Sequence, residues 1–478
     1  MGRASRAWAV AAATGLLVAS CGGGDDDGGG SADGAGSDEG GSASELPVCP
    51  LDALDDVTEP VEIVYWHGMT RVAEDTLEAL VDEFNASQDR VRVKLVNNSS
   101  ENQHEKYLAG LETGDLPDVI QHDATLLQQM VDTQTVLPAQ SCIDAMEAGG
   151  EQFDEDDWVQ RSLVYHQVDG VQWSLPFGVA NPVLLYNKAA FTKAGLDPDS
   201  PPATLDDYRA AAEALVDAGY RYGAAVAIEA WHFEELFALE GESYVDQGNG
   251  REGRATKVAF DSAAGEELYD FFDRLVDDGL AVTNPREGPD AINNLLAIGN
   301  GDAGMTVVSS SALGSVLEVL GSGQYADVEL GVGPMPGLTE DGGVVVAGGG
   351  LSITARDPAK QAAGWELVQF LTSPESQSKW AAATGYAPVR TSSVDLPEIR
   401  QRWEEEPGFR ISYDQLVDGA ENEATAGPMV GDMAGVRTAV EEALTAMFVD
   451  DLPPDEALAQ AAQVSNDAIA SYNQRVGG

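Results

Sequence analysis

Short β-branched and aromatic runs alternate with amphipathic stretches along most of the chain. This alternation restricts the possible folds more than any other feature. Val61-Glu62-Ile63-Val64-Tyr65-Trp66 has strand composition. After a His67-Gly68-Met69-Thr70 turn, Leu77, Leu80, Val81 and Phe84 recur at helical spacing. Residues 91–96 alternate apolar and polar, residues 107–112 read as a helix stopped by Gly114-Asp115-Leu116-Pro117, and Asp118-Val119-Ile120-Gln121 reads as a third strand. The pattern resumes with a strand at 183–186, a helix at 205–218 behind Thr204 as N-cap, a helix at 265–278 and a strand at 305–308. Helices at 359–371, 435–449 and 454–474 follow. Such alternation predicts α/β layers built on a mostly parallel sheet. At 478 residues, two domains are expected.

Charge narrows the partners. There are 81 Asp and Glu against 26 Lys and Arg, a formal net charge of −55. A chain this acidic is repelled by phosphate backbones and by anionic lipid, so neither nucleic acid nor a charged membrane surface is an expected partner. Hydrophobic residues make up 43% of the chain, enough to build cores, and the acid excess reads as a strongly hydrated surface.

The first twenty residues read as a signal peptide: Arg3 and Arg6, then an apolar run from Ala7 to Ala19 too short for a permanent span. Val18-Ala19-Ser20-Cys21 resembles a bacterial lipobox, which implies lipidation at Cys21. Acyl chains there would anchor the protein to the outer face of the cell membrane. Residues 21–56 then form an acidic, Gly-rich linker. Its Gly22–Ser44 stretch has no hydrophobic face to bury and spans roughly 25 Å as a coil. Two cysteines remain, Cys49 and Cys142. In an exported protein they have one intramolecular option, a mutual disulfide, and otherwise stay as two free thiols. Neither lies at metal-ligand spacing, and no metal or cofactor is expected.

Several stretches match one family in order and spacing. They include Tyr65-Trp66-His67-Gly68-Met69, Gly114-Asp115-Leu116-Pro117-Asp118-Val119, Pro182-Val183-Leu184-Leu185-Tyr186-Asn187-Lys188 and Gly299-Asn300-Gly301-Asp302-Ala303-Gly304-Met305-Thr306. Phe370-Leu371-Thr372-Ser373-Pro374-Glu375, Thr384-Gly385-Tyr386-Ala387-Pro388-Val389 and Gly431-Asp432-Met433 continue the series. The chain resembles the carbohydrate-type (family 1) extracellular solute-binding proteins of bacterial ABC importers, nearest to the branch that takes sn-glycerol-3-phosphate. The resemblance implies a two-lobed α/β periplasmic-binding-protein fold of type II, with a three-segment hinge and an interlobe cleft. It places lobe 1 at 57–177 plus 305–346, lobe 2 at 178–304 plus 347–478, and crossings near 176–180, 304–306 and 346–349. It further implies a monomer that hands a small carbohydrate or polyol to ABC permease subunits.

Sugar and polyol sites need aromatic faces for C–H surfaces and polar groups for hydroxyls that lose water. The resemblance points to Trp66, Trp231 and Tyr386 as aromatic candidates. Its polar candidates are Ser310, Gly349 through its backbone N–H, Ser100 and Glu101 at a helix start, and Asp123, with Ala124 one position away. It also exposes two departures. The glycerol-phosphate binders carry an Arg suited to phosphate in their last cleft motif, where Met429 stands here, with Arg390 and Arg437 nearby but out of register. Ala180 replaces a Ser. A neutral sugar or glycoside is therefore the expected ligand, ahead of sn-glycerol-3-phosphate or a glycerophosphodiester.

Enzyme signatures are sparse. The sequence has no Gly-x-Ser-x-Gly elbow, and its five His lack metal spacing. With so many acids, a carboxylate pair suited to glycoside hydrolysis is inevitable somewhere, which keeps a secreted carbohydrate-active hydrolase as the competing class.

Overall fold

The computed structural model describes residues 46–98, 100–285, 292–339 and 342–477. The expected signal peptide, Cys21 and most of the linker lie outside the described residues.

Two five-stranded sheets organise the body. Their strands, with a small hairpin (β4, β5), are β1 (Val61–His67), β2 (Val91–Asn97), β3 (Val119–Asp123), β4 (Gln167–Val168), β5 (Val171–Gln172) and β6 (Leu175–Ala180), then β7 (Pro182–Asn187), β8 (Ala224–Ile228), β9 (Ala281–Pro285), β10 (Met305–Ser309), β11 (Leu330–Pro334) and β12 (Ala347–Ile353). The first sheet has the order β2-β1-β3-β12-β6 and the second β11-β7-β10-β8-β9. β1 runs parallel to β2 and β3, and β8 runs parallel to β9 and β10. β12 is antiparallel to β3 and β6, and β7 is antiparallel to β10 and β11. Both sheets are thus mixed, where the alternation predicted mostly parallel ones. The cause lies in the connections: β7 and β12 each enter directly from the other sheet, without the helical crossover a parallel neighbour needs.

Strands β6 and β7 are buried along their whole lengths, as in sheets covered on both faces. Covering helices follow the sequence pattern. Leu77, Leu80, Val81 and Phe84 are the buried stripe of helix Arg71–Ser87. Thr204 caps helix Leu205–Asp217, its Oγ1 accepting from the Asp207 N–H at 3.1 Å. Cys49 and Cys142 are disulfide-bonded, with Cα atoms 4.9 Å apart. The bond fixes the segment before the short 3-10 turn Leu51–Leu54, which packs on helix Pro358–Leu371.

Sheet membership corrects the expected lobe boundaries. β10 and β11, placed in lobe 1 by the sequence reading, are paired in the second sheet, and β12, placed in lobe 2, is paired in the first. Residues 304–306 are no crossing, because β10 is held between β7 and β8. The first crossing is at Asn181, between β6 and β7, and the second is the 335–346 segment between β11 and β12. A third follows helix Pro374–Thr384, which packs on helix Arg71–Ser87. The chain then reaches helix Ile411–Asp418, which packs on β11 and β7.

The crossings are tied together. The Asn181 side-chain amide donates to the Ser412 carbonyl at 2.7 Å, and its Oδ1 accepts from Gln415 Nε2 at 2.8 Å. Gln415 Oε1 accepts from the Met335 N–H at 2.8 Å. Arg161 donates to the carbonyls of Leu416 at 2.9 Å and Val344 at 2.5 Å.

Candidate functional site

A cavity of about 230 Å³ opens where β3 and β12 end beside the crossings. Gln121, His122 and Asp123 reach it from β3, and Gly349 pairs with Asp123 across the ladder. Gln103 and His104 come from helix Ser100–Thr113, and Ser311 from the turn after β10 of the second sheet. Tyr386 closes one side, its ring stacked on Trp380 at 5.2 Å between centroids. This set mixes one aromatic face with several hydrogen-bonding groups drawn from both sheets.

Three of these groups are poised for a partner. Gln103 Oε1, His104 Nδ1 and Gln121 Nε2 are buried with no hydrogen-bond partner among the described residues. Buried polar atoms are ordinarily paired, so such a cluster lining a cavity offers hydrogen-bonding groups to water or to another molecule. Burial holds His104 below the usual imidazole range against the opposing pull of Asp432, Glu105 and Asp123. His122 is lowered by burial too, while Nδ1 contacts the Asp123 carbonyl and Nε2 contacts Ser352 Oγ, both at 2.9 Å.

The sequence candidates divide. Asp123, Gly349 and Tyr386 line the cavity together. Asp123 Oδ1 also caps the turn that follows, accepting from the Thr125 N–H at 3.0 Å, and the competing Ala124 is buried in the core. Trp66 is a correction: it is 5% exposed in an apolar cluster with Tyr107 and Ile120, behind the cavity wall. The β1 pleat sends it to the opposite side from its neighbours Tyr65 and His67. Ser310 is fully buried, with no partner for its hydroxyl among the described residues, and the next residue, Ser311, is the one that lines the cavity. Trp231 is not part of this wall. It lies on helix Ala230–Leu239 beside the buried Glu235 carboxyl. Ser100 and Glu101 begin their helix as expected, but their side chains lie outside the described residues.

Met429, Arg390 and Arg437 have separate surroundings. Met429 is 4% exposed and packs with Leu127 and Val168, away from the cavity wall. Arg390 is engaged by Asp157 at 2.8 Å, over the Trp158 ring. Arg437 does not line the cavity, but it lies near the wall. It lies on helix Met433–Asp450, which packs against the turn after β3, and Asp123 is close enough to act on its charge. Its guanidinium forks onto Glu234, with Nε to Oε1 at 2.7 Å and Nη2 to Oε2 at 2.8 Å. Burial alone would lower its pKa, but Glu234 and Asp123 hold it well above the usual value.

Two α/β sheets exchanging strands across crossings, with a polar cavity between them, define a binding protein of the type II periplasmic class. A family model for bacterial extracellular solute-binding proteins matches residues 79–409, so the chain belongs to that family. The sn-glycerol-3-phosphate-binding periplasmic protein UgpB of Pectobacterium atrosepticum is 27% identical over 425 residues, covering 86% of this chain and 92% of the relative. Among solved structures, the cyclic α-maltosyl-1,6-maltose binding protein from Arthrobacter globiformis is similar with a TM-score of 0.69 and 22% identity, covering 86% of this chain and all of that one. UgpB from Mycobacterium tuberculosis, solved with glycerophosphocholine, is similar with a TM-score of 0.71 and 20% identity, over 87% of this chain and 99% of that one. Solute binding is the family's role, and the hydrolase alternative finds no support in it.

Proposed function

We propose that this chain is the lipid-anchored receptor of an ABC importer, capturing a sugar, glycoside or related polyol. The observation that carries the ligand class is the set of unpaired buried atoms on Gln103, His104 and Gln121, lining one cavity with the Tyr386 ring. Ligand hydroxyls would satisfy the first three, and a sugar's C–H face would cover the ring. Cys21 would carry the lipid, and the acidic linker would hold the body clear of the membrane. The bound form would then dock on permease subunits.

A second reading, sn-glycerol-3-phosphate or a glycerophosphodiester, is favoured by the similarity to sn-glycerol-3-phosphate-binding UgpB and by the Arg437 guanidinium near Asp123 of the cavity wall. A thermal-shift screen over sugars, polyols and glycerophosphodiesters tests the assignment, since a ligand that binds only the folded state raises its melting temperature. A saccharide that shifts the melt, with stoichiometric and unaltered recovery, supports the first reading. A response confined to phosphate esters replaces it with the second.

A further inference from the structure

Arg437 would normally be taken as a docking point for an anion, because a planar guanidinium offers two parallel N–H groups to a carboxylate or phosphate. In this chain one such edge, Nε with Nη2, is already engaged. Glu234 accepts from Nε and Nη2 at 2.7 and 2.8 Å, and its side chain is 2% exposed while that of Arg437 keeps 18%. The carboxylate is supplied by helix Ala230–Leu239, and the cation lies near enough to Asp123 of the cavity wall to feel its charge. Asp123, on the cavity wall, adds a second negative charge within reach of the same guanidinium. Thus one cation faces two carboxylates, and an incoming anion meets a site whose positive charge is already compensated. A neutral hydroxyl meets no such repulsion.

We propose that Glu234 is a specificity-determining residue, an internal counter-ion that occupies one edge of the Arg437 guanidinium, compensates its charge, and makes the cleft refuse phosphate esters while admitting neutral polyhydroxylated ligands. This rests on the reading of the cavity as the solute site. Discrimination of this kind comes from a built-in repulsive element as much as from contacts to the preferred ligand.

The test is calorimetric titration of the full chain, its Glu234→Gln variant and the Glu234→Gln/Arg437→Gln double variant. The probes are sn-glycerol-3-phosphate and inorganic phosphate. Glu234→Gln keeps the shape of the side chain and removes its charge. It is expected to bind the anions about tenfold more tightly or better than the parent, and the double variant to lose the gain. Equal anion affinity in parent and Glu234→Gln, or a gain that survives loss of Arg437, overturns the proposal. Should Glu234→Gln fail to fold, Glu234→Ala replaces it: anion binding appears in the vacated fork and is suppressed by added formate, which refills it. Absence of anion binding in a folded Glu234→Ala overturns the proposal equally. Failure of the underlying receptor reading shows separately, as a parent protein that no neutral saccharide in the thermal screen stabilises.

Discussion

Gln415 donates from Nε2 to Asn181 Oδ1 across 2.8 Å, so a helix after the third crossing grips the residue that forms the first. The same side chain accepts from the Met335 N–H at the start of the second. One amide therefore bridges two of the strands of chain on which the lobes turn. Gln415→Ala leaves the Asn181 side-chain oxygen and the Met335 N–H without these partners. It should destabilise the protein by about 1–3 kcal/mol, measured by urea unfolding. It should also broaden the distribution of lobe angles, seen as a larger radius of gyration in X-ray scattering. An unchanged denaturation midpoint would show the bridge to be dispensable.

Gly348 takes φ = 115° at the start of β12, and a Cβ there would run into the Gly178 carbonyl oxygen. Gly348→Ala adds both a left-handed backbone penalty and a collision with backbone. A loss of about 1–3 kcal/mol is expected in equilibrium denaturation. Gly219→Ala is the control: φ is also positive, at 94°, but nothing stands within 4 Å of the added carbon, so the cost should be smaller.

Tyr386→Ala removes the cavity's stacked aromatic wall, while Tyr386→Phe keeps the ring and its stacking on Trp380. Ligand affinity measured by calorimetry should fall about tenfold or more for Ala and change little for Phe. Comparable losses in both variants would move the weight from the ring face to the hydroxyl.

Glu235 is buried, and burial raises its carboxyl well above the usual 4.5 although the Val345 N–H donates to Oε2 at 2.7 Å. The folded state thus holds this proton more tightly than the unfolded chain does. Its contribution to stability is full below pH 4.5 and is lost as pH rises through the folded value. In Glu235→Gln that loss is absent. The melting temperature of the variant relative to the parent should therefore climb as pH increases above 4.5, followed by calorimetry from pH 4 to 8. A difference that does not vary with pH would place the charge elsewhere.

The Cys49–Cys142 bond spans 93 positions of sequence. Closing so long a loop restricts the unfolded chain, and Cys49→Ala/Cys142→Ala should lose about 2–4 kcal/mol in denaturation midpoint terms. Reduction of the parent protein should reproduce the shift.

Helices such as Arg71–Ser87 and Leu205–Asp217 were legible in the sequence because apolar spacing and an N-cap residue are local signals. The partition of strands between sheets was not, because nothing near residue 305 or residue 347 encodes which distant strand it will meet. Asp123, Gly349 and Tyr386, named from motifs at strand ends and turns, fall together on the cavity wall. Gln103, His104 and Gln121 were not singled out, because an unpaired buried atom is a property only packing reveals. Trp66 misled because a strand-end aromatic has two faces to choose from, and a pleat shift of one residue decides which.

The knot formed by Asn181, Gln415, Met335 and Arg161 gives the body a short fulcrum and two long arms. Any angular play allowed there is multiplied toward the far rims. A thicker guest would halt the lobes sooner and leave the margins farther apart, so that the periphery would gauge what is held inside.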